Sequence, residues 1–363
     1  MKTIAILYPA FYEQSNGGAE LQIRYLVASA AGVGHTIHYL FEDKGRTIQN
    51  ELNVILHPLK KKADIKFCGK GWFRYRKLIN KELDRIRPDV IYTRLGSSWI
   101  DIAAEYARKH DIQHIHAIAS DIDVRRRTFS TLFPLFQPFE NFYINRGLKH
   151  VTIAISQNAY QKTAYEKRFK KPCILINQMT PRVNENEIIK DNGTIRIVWI
   201  ANFKRIKRPE IFVNLAKALE KYSDRIKMEM YGRASSEYRE LLKSIKNTPW
   251  LEYKGEVPTE TIFNVLSQSH ILVNTSLYEG FSNTFVQAWM RKVPIISMGS
   301  NPNNVFDNYN VGLFIPQEKD LASALVNLID HPATMKHMAD DAYNYAIVNH
   351  SLEQNMPKIL NIL

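Results

Sequence analysis

Apolar positions along this chain follow two rhythms, short β-rich runs and longer stretches at helical spacing. Residues 3–8 read as a buried strand. Residues 19–31 read as a helix with Leu21, Tyr25, Leu26 and Val27 on its inner face, and 36–41 as the next strand. The alternation continues with strands at 89–93, 112–119, 151–155 and 173–176, and with helices over 99–109 and 158–169. A polar, charged stretch at 184–193 interrupts it. Beyond lie strands at 195–200, 227–231, 251–255, 271–273, 295–296 and 311–315. Between them run a helix carrying Ile211, Phe212, Leu215 and Leu219, another at 261–269, and a third that starts near Asn283. Phe285, Ala288 and Trp289 face inward on that third helix, and Ser282 or Asn283 caps it. Tail helices are expected at 320–329, 333–348 and 354–363. Strand–helix–strand repetition demands parallel sheets and right-handed crossovers. The fold class is therefore α/β, and 363 residues suit two domains.

Composition narrows the class. Apolar residues make up 45% of the chain and aromatics 11%, which supports sizeable cores and argues against disorder. Two cysteines, Cys68 and Cys173, give no metal or disulfide framework and fit a reducing compartment. The first residues have no small-residue cleavage site and read as a strand rather than a signal peptide. No apolar run is long enough to span a membrane. These features predict a cytoplasmic protein, peripheral at most at the inner face of a membrane. The net charge of +13 is unevenly placed: residues 1–180 hold 28 Lys/Arg against 16 Asp/Glu, and residues 181–363 hold 21 against 20. The excess points to an anionic partner of the first half.

The candidate chemistry centres on residues 271–297. A buried strand is followed by a polar loop and then a helix, so the main-chain N–H groups from Gly280 through Phe281, Ser282, Asn283 and Thr284 suit a phosphate. Gly280 lets backbone approach a ligand. Glu279 lies just before the helix and Gln287 about one turn inside it, leaning toward the same cleft. A carboxylate beside a phosphate site suits sugar hydroxyls or a developing cation. A second basic corner, residues 201–208, follows strand 195–200, where open α/β sheets bind ligands.

The run Glu279-Gly280-Phe281 with its small-residue loop resembles the C-terminal signature of the retaining, GT4-like (group 1) glycosyltransferases of GT-B fold. The resemblance extends over nearly the whole chain. It implies two Rossmann-like domains facing a cleft, with helices on both faces of each parallel sheet. An acceptor-side domain would span 1–178, a linker 179–194 and a nucleotide-sugar domain 195–345, with 346–363 crossing back to the first domain. In that family the first acid lies against the donor sugar and a second, eight positions on, grips the ribose; here the second position holds Gln287. Asn16-Gly17-Gly18-Ala19-Glu20 is similar to the family's first loop, which places Gly17 and Gly18 near the donor. The family's Gly-Arg pair is replaced by Ala201 and Asn202. Its lysine is kept as Lys207, which would neutralise the leaving diphosphate, with Arg205 or Lys204 as substitute for the missing charge. Gly232 falls where the family places the nucleotide base. The family's sugar-contacting histidine falls at Ala119, which leaves Asp121 as the polar candidate. Together these residues imply a retaining transfer from a UDP- or GDP-sugar to a saccharide acceptor, with Lys207, Glu279 and Asp121 as catalytic candidates and no cofactor or metal. Asp121-x-Asp123 also has the spacing of a metal-binding pair.

Within residues 66–87, eight Lys/Arg are interleaved with Trp72, Phe73 and Tyr75. Lys70, Trp72, Phe73, Arg74, Arg76 and Lys77 are thus candidates for an anionic membrane surface or a lipid-linked acceptor in cell-surface polysaccharide synthesis. A solvated helix with its aromatics packed inward is the plainer reading of the same stretch. No nucleic-acid motif accompanies it. Two other functions stay open at this point: a sugar-nucleotide epimerase on the same fold, and a degenerate binding protein without turnover.

Overall fold

The structure, a computed structural model, describes residues 1–14, 17–45, 48–52, 54–60, 71–125, 137–191 and 193–363, with only the backbone of 137 and 138. The chain forms two compact units, Met1–Asn177 with Asn355–Leu363, and Gln178–Gln354.

In the first unit the strands are β1 (Thr3–Leu7), β2 (Thr36–Glu42), β3 (Ile55–Leu59), β4 (Val90–Arg94), β5 (Gln113–Ala117), β6 (Ile153–Ser156) and β7 (Cys173–Leu175). They form one sheet in the order β3-β2-β1-β4-β5-β6-β7. All neighbouring strands are parallel. The helices are α1 (Gly18–Gly32), α2 (Trp72–Ile86), α3 (Trp99–His110), the single turn α4 (Asp121–Val124), α5 (Gln137–His150) and α6 (Ala159–Phe169). Burial on both sheet faces explains the near-continuous apolar runs: Ile4 to Leu7 and Val90 to Tyr92 are each 1% exposed or less. Leu40, Ile79, Leu83, Ile91, Trp99 and Ala103 share one of the cores.

Strand β3 has no counterpart in the sequence reading. It is an edge strand with only Leu59 fully buried, and it contains Pro58. An edge strand buries little, so its apolar rhythm is weak, and there proline costs no ladder bond to an outer neighbour. Helices α4 and α5 were likewise absent from the reading.

In the second unit the elements alternate regularly: β8 (Ile195–Ile200), α7 (Pro209–Ala218), β9 (Ile226–Tyr231), α8 (Arg239–Lys246), β10 (Leu251–Gly255), α9 (Thr259–Ser267) and β11 (Ile271–Asn274). Then come α10 (Asn283–Trp289), β12 (Ile295–Ser297), α11 (Val305–Asn308), β13 (Gly312–Phe314), α12 (Leu321–Asp330), α13 (Pro332–His350) and α14 (Leu352–Leu360), whose last turns belong to the first unit. The sheet order is β10-β9-β8-β11-β12-β13, again all parallel. Ile211, Phe212, Leu215 and Leu219 are all buried in its core with Trp199, Met228 and Met230. Phe285, Ala288 and Trp289 lie in a second core on the other face.

Both sheets are doubly wound. Strand order reverses between β1 and β4 in one unit and between β8 and β11 in the other, so the loops leaving those strands diverge and open a crevice. These two switch points hold most of the residues singled out by sequence.

Candidate donor-binding site and acceptor cavity

In the second unit, β8 and β11 run side by side with Ile197 opposite Ile271 and Val198 opposite Leu272. Their outgoing loops must therefore be neighbours, and main-chain and side-chain bonds lace them together. Leu277 N–H donates to the Ile206 carbonyl at 2.9 Å. Thr275, fully buried, accepts from the Trp199 indole at 2.8 Å and donates to the Lys207 carbonyl at 2.6 Å. Arg208 takes a left-handed conformation before Pro209 and donates through Nε to the Thr275 carbonyl at 2.6 Å.

This lacing brings Lys207 and Glu279, 72 positions apart, into an ion pair through Nζ and Oε1. Ser276 Oγ donates to the same carboxylate oxygen at 2.7 Å. Both side chains keep a minor exposed fraction, 24% and 16%, so the pair faces a place that solvent or a ligand can reach. Beside it, α10 begins with Ser282 as the N-terminal cap residue, and Ser282 and Thr284 hydroxyls lie 3.1 Å apart. The first N–H groups of a helix have no partner within the helix. Phe281 anchors the loop from below, buried against His350 and Trp289. Gln287 lies on the buried side of α10 at 6% exposure.

Asn202 does not supply a substitute for the family's arginine. Its Oδ1 accepts from the Arg233 N–H at 2.9 Å and ties the β8 loop to the turn after β9. At that turn Gly232 has φ +133°, and a Cβ there would stand 1.9 Å from the Ala201 carbonyl oxygen. Only glycine fits. Lys204 and Arg205 are exposed on the loop. Arg208 and Ser276, which hold the pair in place, were not singled out by sequence. The only signal for Arg208 was its place in the basic corner 201–208.

At the first unit's switch point, Gly17 caps α1 and Gly18 opens it. Tyr8, after β1, hydrogen-bonds Glu20, and burial together with that carboxylate pushes its phenol well up. Asp121 Oδ1 accepts from Asn158 Nδ2 at 3.2 Å and from Gln161 Nε2 at 2.9 Å, so this carboxylate braces the start of α6. Asp123 accepts main-chain N–H groups from Gly96, Ala119 and Ser120 at 3.0–3.2 Å. Both members of the Asp-x-Asp pair are committed to the fold. His116 lies within β5, as its position suggested, fully buried beside Thr93 and His114 and far from ionising.

The same end of the sheet holds a cavity of about 400 Å³. Its walls are Pro9, Glu42, Gly71, Arg74, Tyr75, residues 97–99 and Glu140. Tyr75 donates to Glu42 at 2.8 Å, and Glu140 accepts from Ser98 N–H at 2.9 Å. Ser98 Oγ is buried with no partner among the described residues. Carboxylates, a hydroxyl and aromatic faces in one concavity suit a saccharide. Arg74 was singled out by sequence; Glu42, Ser98, Trp99 and Glu140 were not, because nothing in their spacing joins them.

Of the other basic and aromatic candidates, Trp72 stacks on Tyr143 at 4.3 Å and donates to the buried Asp101 at 2.7 Å. Arg76 pairs with Glu105. Phe73 and Lys77 are exposed. Lys70, Cys68 and the Arg126–Arg127 pair lie outside the described residues, as does Asn16.

The two doubly wound units define a GT-B glycosyltransferase fold, and comparison with known structures agrees. The chain is similar along its whole length to sucrose-phosphate synthase from Thermosynechococcus elongatus, at 14% identity and TM-score 0.79, covering 98% of that chain. It is similar over its whole length to Anabaena HepE, solved with UDP and glucose, at 14% identity and TM-score 0.75, covering 99% of that chain. WaaG, a glycosyltransferase involved in lipopolysaccharide biosynthesis, matches 99% of this chain and 99% of its own at 12% identity and TM-score 0.75. Residues 194–331 match the family Glycosyl transferases group 1. The second unit thus carries a match to the group 1 glycosyltransferases, and the chain as a whole has the fold of the GT-B glycosyltransferase structures.

Proposed function

We propose that this protein transfers a sugar, with retention, from a nucleoside-diphosphate sugar to a saccharide acceptor. The observation that carries the reading is the Lys207–Glu279 pair, held beside the start of α10 at the β8/β11 switch point. In this scheme the donor diphosphate draws Lys207 toward itself, and the N–H groups of residues 282–284 add fixed dipoles to the developing negative charge. Glu279, relieved of its lysine, accepts donor hydroxyls or balances the positive charge that grows on the sugar ring. Gln287 and Gly232 serve the nucleoside. The cavity of the first unit takes the acceptor, with Glu42 and Glu140 accepting its hydroxyls. The scheme needs no metal, because Lys207 and the N–H groups at the start of α10 meet the diphosphate charge. A lipid-linked acceptor of a cell-surface glycan fits the basic first half of the chain.

The test is a thermal-shift panel of UDP, GDP, ADP, CMP and CDP on the wild type and on Lys207→Ala. At ~100 times Kd, one nucleotide should stabilise the wild type by about 2.7 kcal/mol. The variant should lose that shift. No shift with any nucleotide would remove the donor reading and favour a binding protein without turnover.

A further inference from the structure

The first turn of α2 meets the second turn of α5, where Trp72 and Tyr143 stack with an interplanar angle of 8°. That stack and the Asp101 carboxylate beneath it absorb Trp72, Arg76 and Arg146 into the body of the unit. Three other rings nearby are not absorbed. Phe73, Phe139 and Phe142 are 50%, 54% and 56% exposed. Phe73 and Phe142 both approach Tyr143, at 5.8 and 5.4 Å between ring centroids. Phe139 sits one turn before Phe142 on the same helix face. The three therefore form one patch rather than scattered apolar residues.

Cations frame the patch. On α2, Phe73, Lys77 and Lys81 recur at four-residue spacing and are all exposed; on α5, Lys149 lies two turns along the face that carries Phe142. The residues of this half of the chain carry nearly all of the protein's positive excess. Aromatic rings at the tip of a patch, with lysines behind them, match an interface where rings enter the acyl boundary and ammonium groups meet phosphates.

We propose that Phe73, Phe139 and Phe142, with Lys77, Lys81 and Lys149, form a docking surface for an anionic lipid bilayer. The partner is set by charge complementarity: a neutral apolar partner would gain nothing from the lysines. The surface has a consequence for the acceptor cavity, whose Arg74 and Glu140 are the chain neighbours of Phe73 and Phe139. A docked membrane would bring the saccharide of a membrane-anchored acceptor close to that cavity. Docking itself needs no donor, so it stands or falls separately from the transfer reaction.

Flotation with phosphatidylcholine–phosphatidylglycerol vesicles, against phosphatidylcholine alone, tests it on the full chain. The wild type and Lys207→Ala should float equally with the anionic vesicles, and added salt should weaken both. F73S/F142S should bind at least about tenfold more weakly. K77A/K81A should bind about thirtyfold more weakly, and it keeps the test valid if the aromatic variant folds poorly. Equal binding to both vesicle types, or undiminished binding by both variants, would overturn the proposal. Self-association that the phenylalanine substitutions abolish would overturn it too, by assigning the patch to a second copy of the chain.

Discussion

At the scale of single residues, Lys207 and Glu279 neutralise each other. Under the proposed scheme, an entering diphosphate would exchange with Glu279 for the lysine. Lys207→Ala should therefore reduce kcat/KM by roughly 10²–10³-fold, the range for removing one preorganised electrostatic group. Melting should change little, since partly exposed pairs contribute at most about 1 kcal/mol; steady-state kinetics alongside calorimetry checks both. Buried histidines make the fold sensitive to acid. Burial pushes the His114 imidazole down to about 3, and His116 moves the same way. Both rings stay neutral when folded, whereas the unfolded chain takes up their protons below about 6.5. Stability should thus fall as pH drops from 7 toward 3, by about 2 kcal/mol for His114 alone at pH 5. Denaturant titrations of His114→Gln should show a pH slope flatter by that amount, and an unchanged slope would contradict the assignment.

At the scale of elements, short turns position the chemistry, and two of them make sharp predictions. Gly232 opens the turn after β9, which Asn202 of the β8 loop holds, in a backbone conformation and a space that exclude any side chain. Gly232→Ala should lower stability by roughly 2–4 kcal/mol and weaken nucleotide binding with it. Asp123 holds three main-chain N–H groups at 4% exposure. Asp123→Ala should cost about 3 kcal/mol, while chelators leave transfer unchanged, which separates a bracing carboxylate from a metal ligand. Helix α10 shows how far local signals reach. Ser282 as its cap and Phe285, Ala288 and Trp289 as its inner face were legible because capping chemistry and 3.6-residue spacing are local. Strand β3, at the sheet edge with only Leu59 fully buried, left no such trace.

At the scale of the molecule, residues 355–363 group with the first unit, where Met356, Ile359 and Leu363 are buried. Deleting them should lower that unit's stability on the order of 5 kcal/mol. Calorimetry would then show one transition moving down, while the transition that responds to nucleotide stays in place. Within the described residues no helix is long and apolar enough to cross a membrane.

The sequence by itself determined the α/β class, the parallel sheets and the positions of Lys207, Glu279 and the start of α10. All but Lys207, which only the family resemblance singled out within its basic corner, rest on short-range rules: alternation, burial period, capping, and a loop between strand and helix. Tertiary structure alone decided which loops meet. The ion pair arises because β8 and β11 are sheet neighbours although some seventy residues separate them. The cavity of the first unit gathers Glu42, Ser98, Trp99 and Glu140 from three separate segments. Tertiary structure also sorted one basic, aromatic stretch into different fates. Trp72 and Arg76 turn inward to Tyr143, Asp101 and Glu105, and Phe73 and Lys77 stay outside. Helical spacing assigns faces, but only the packing of α3 and α5 against α2 determines which face has somewhere to bury itself.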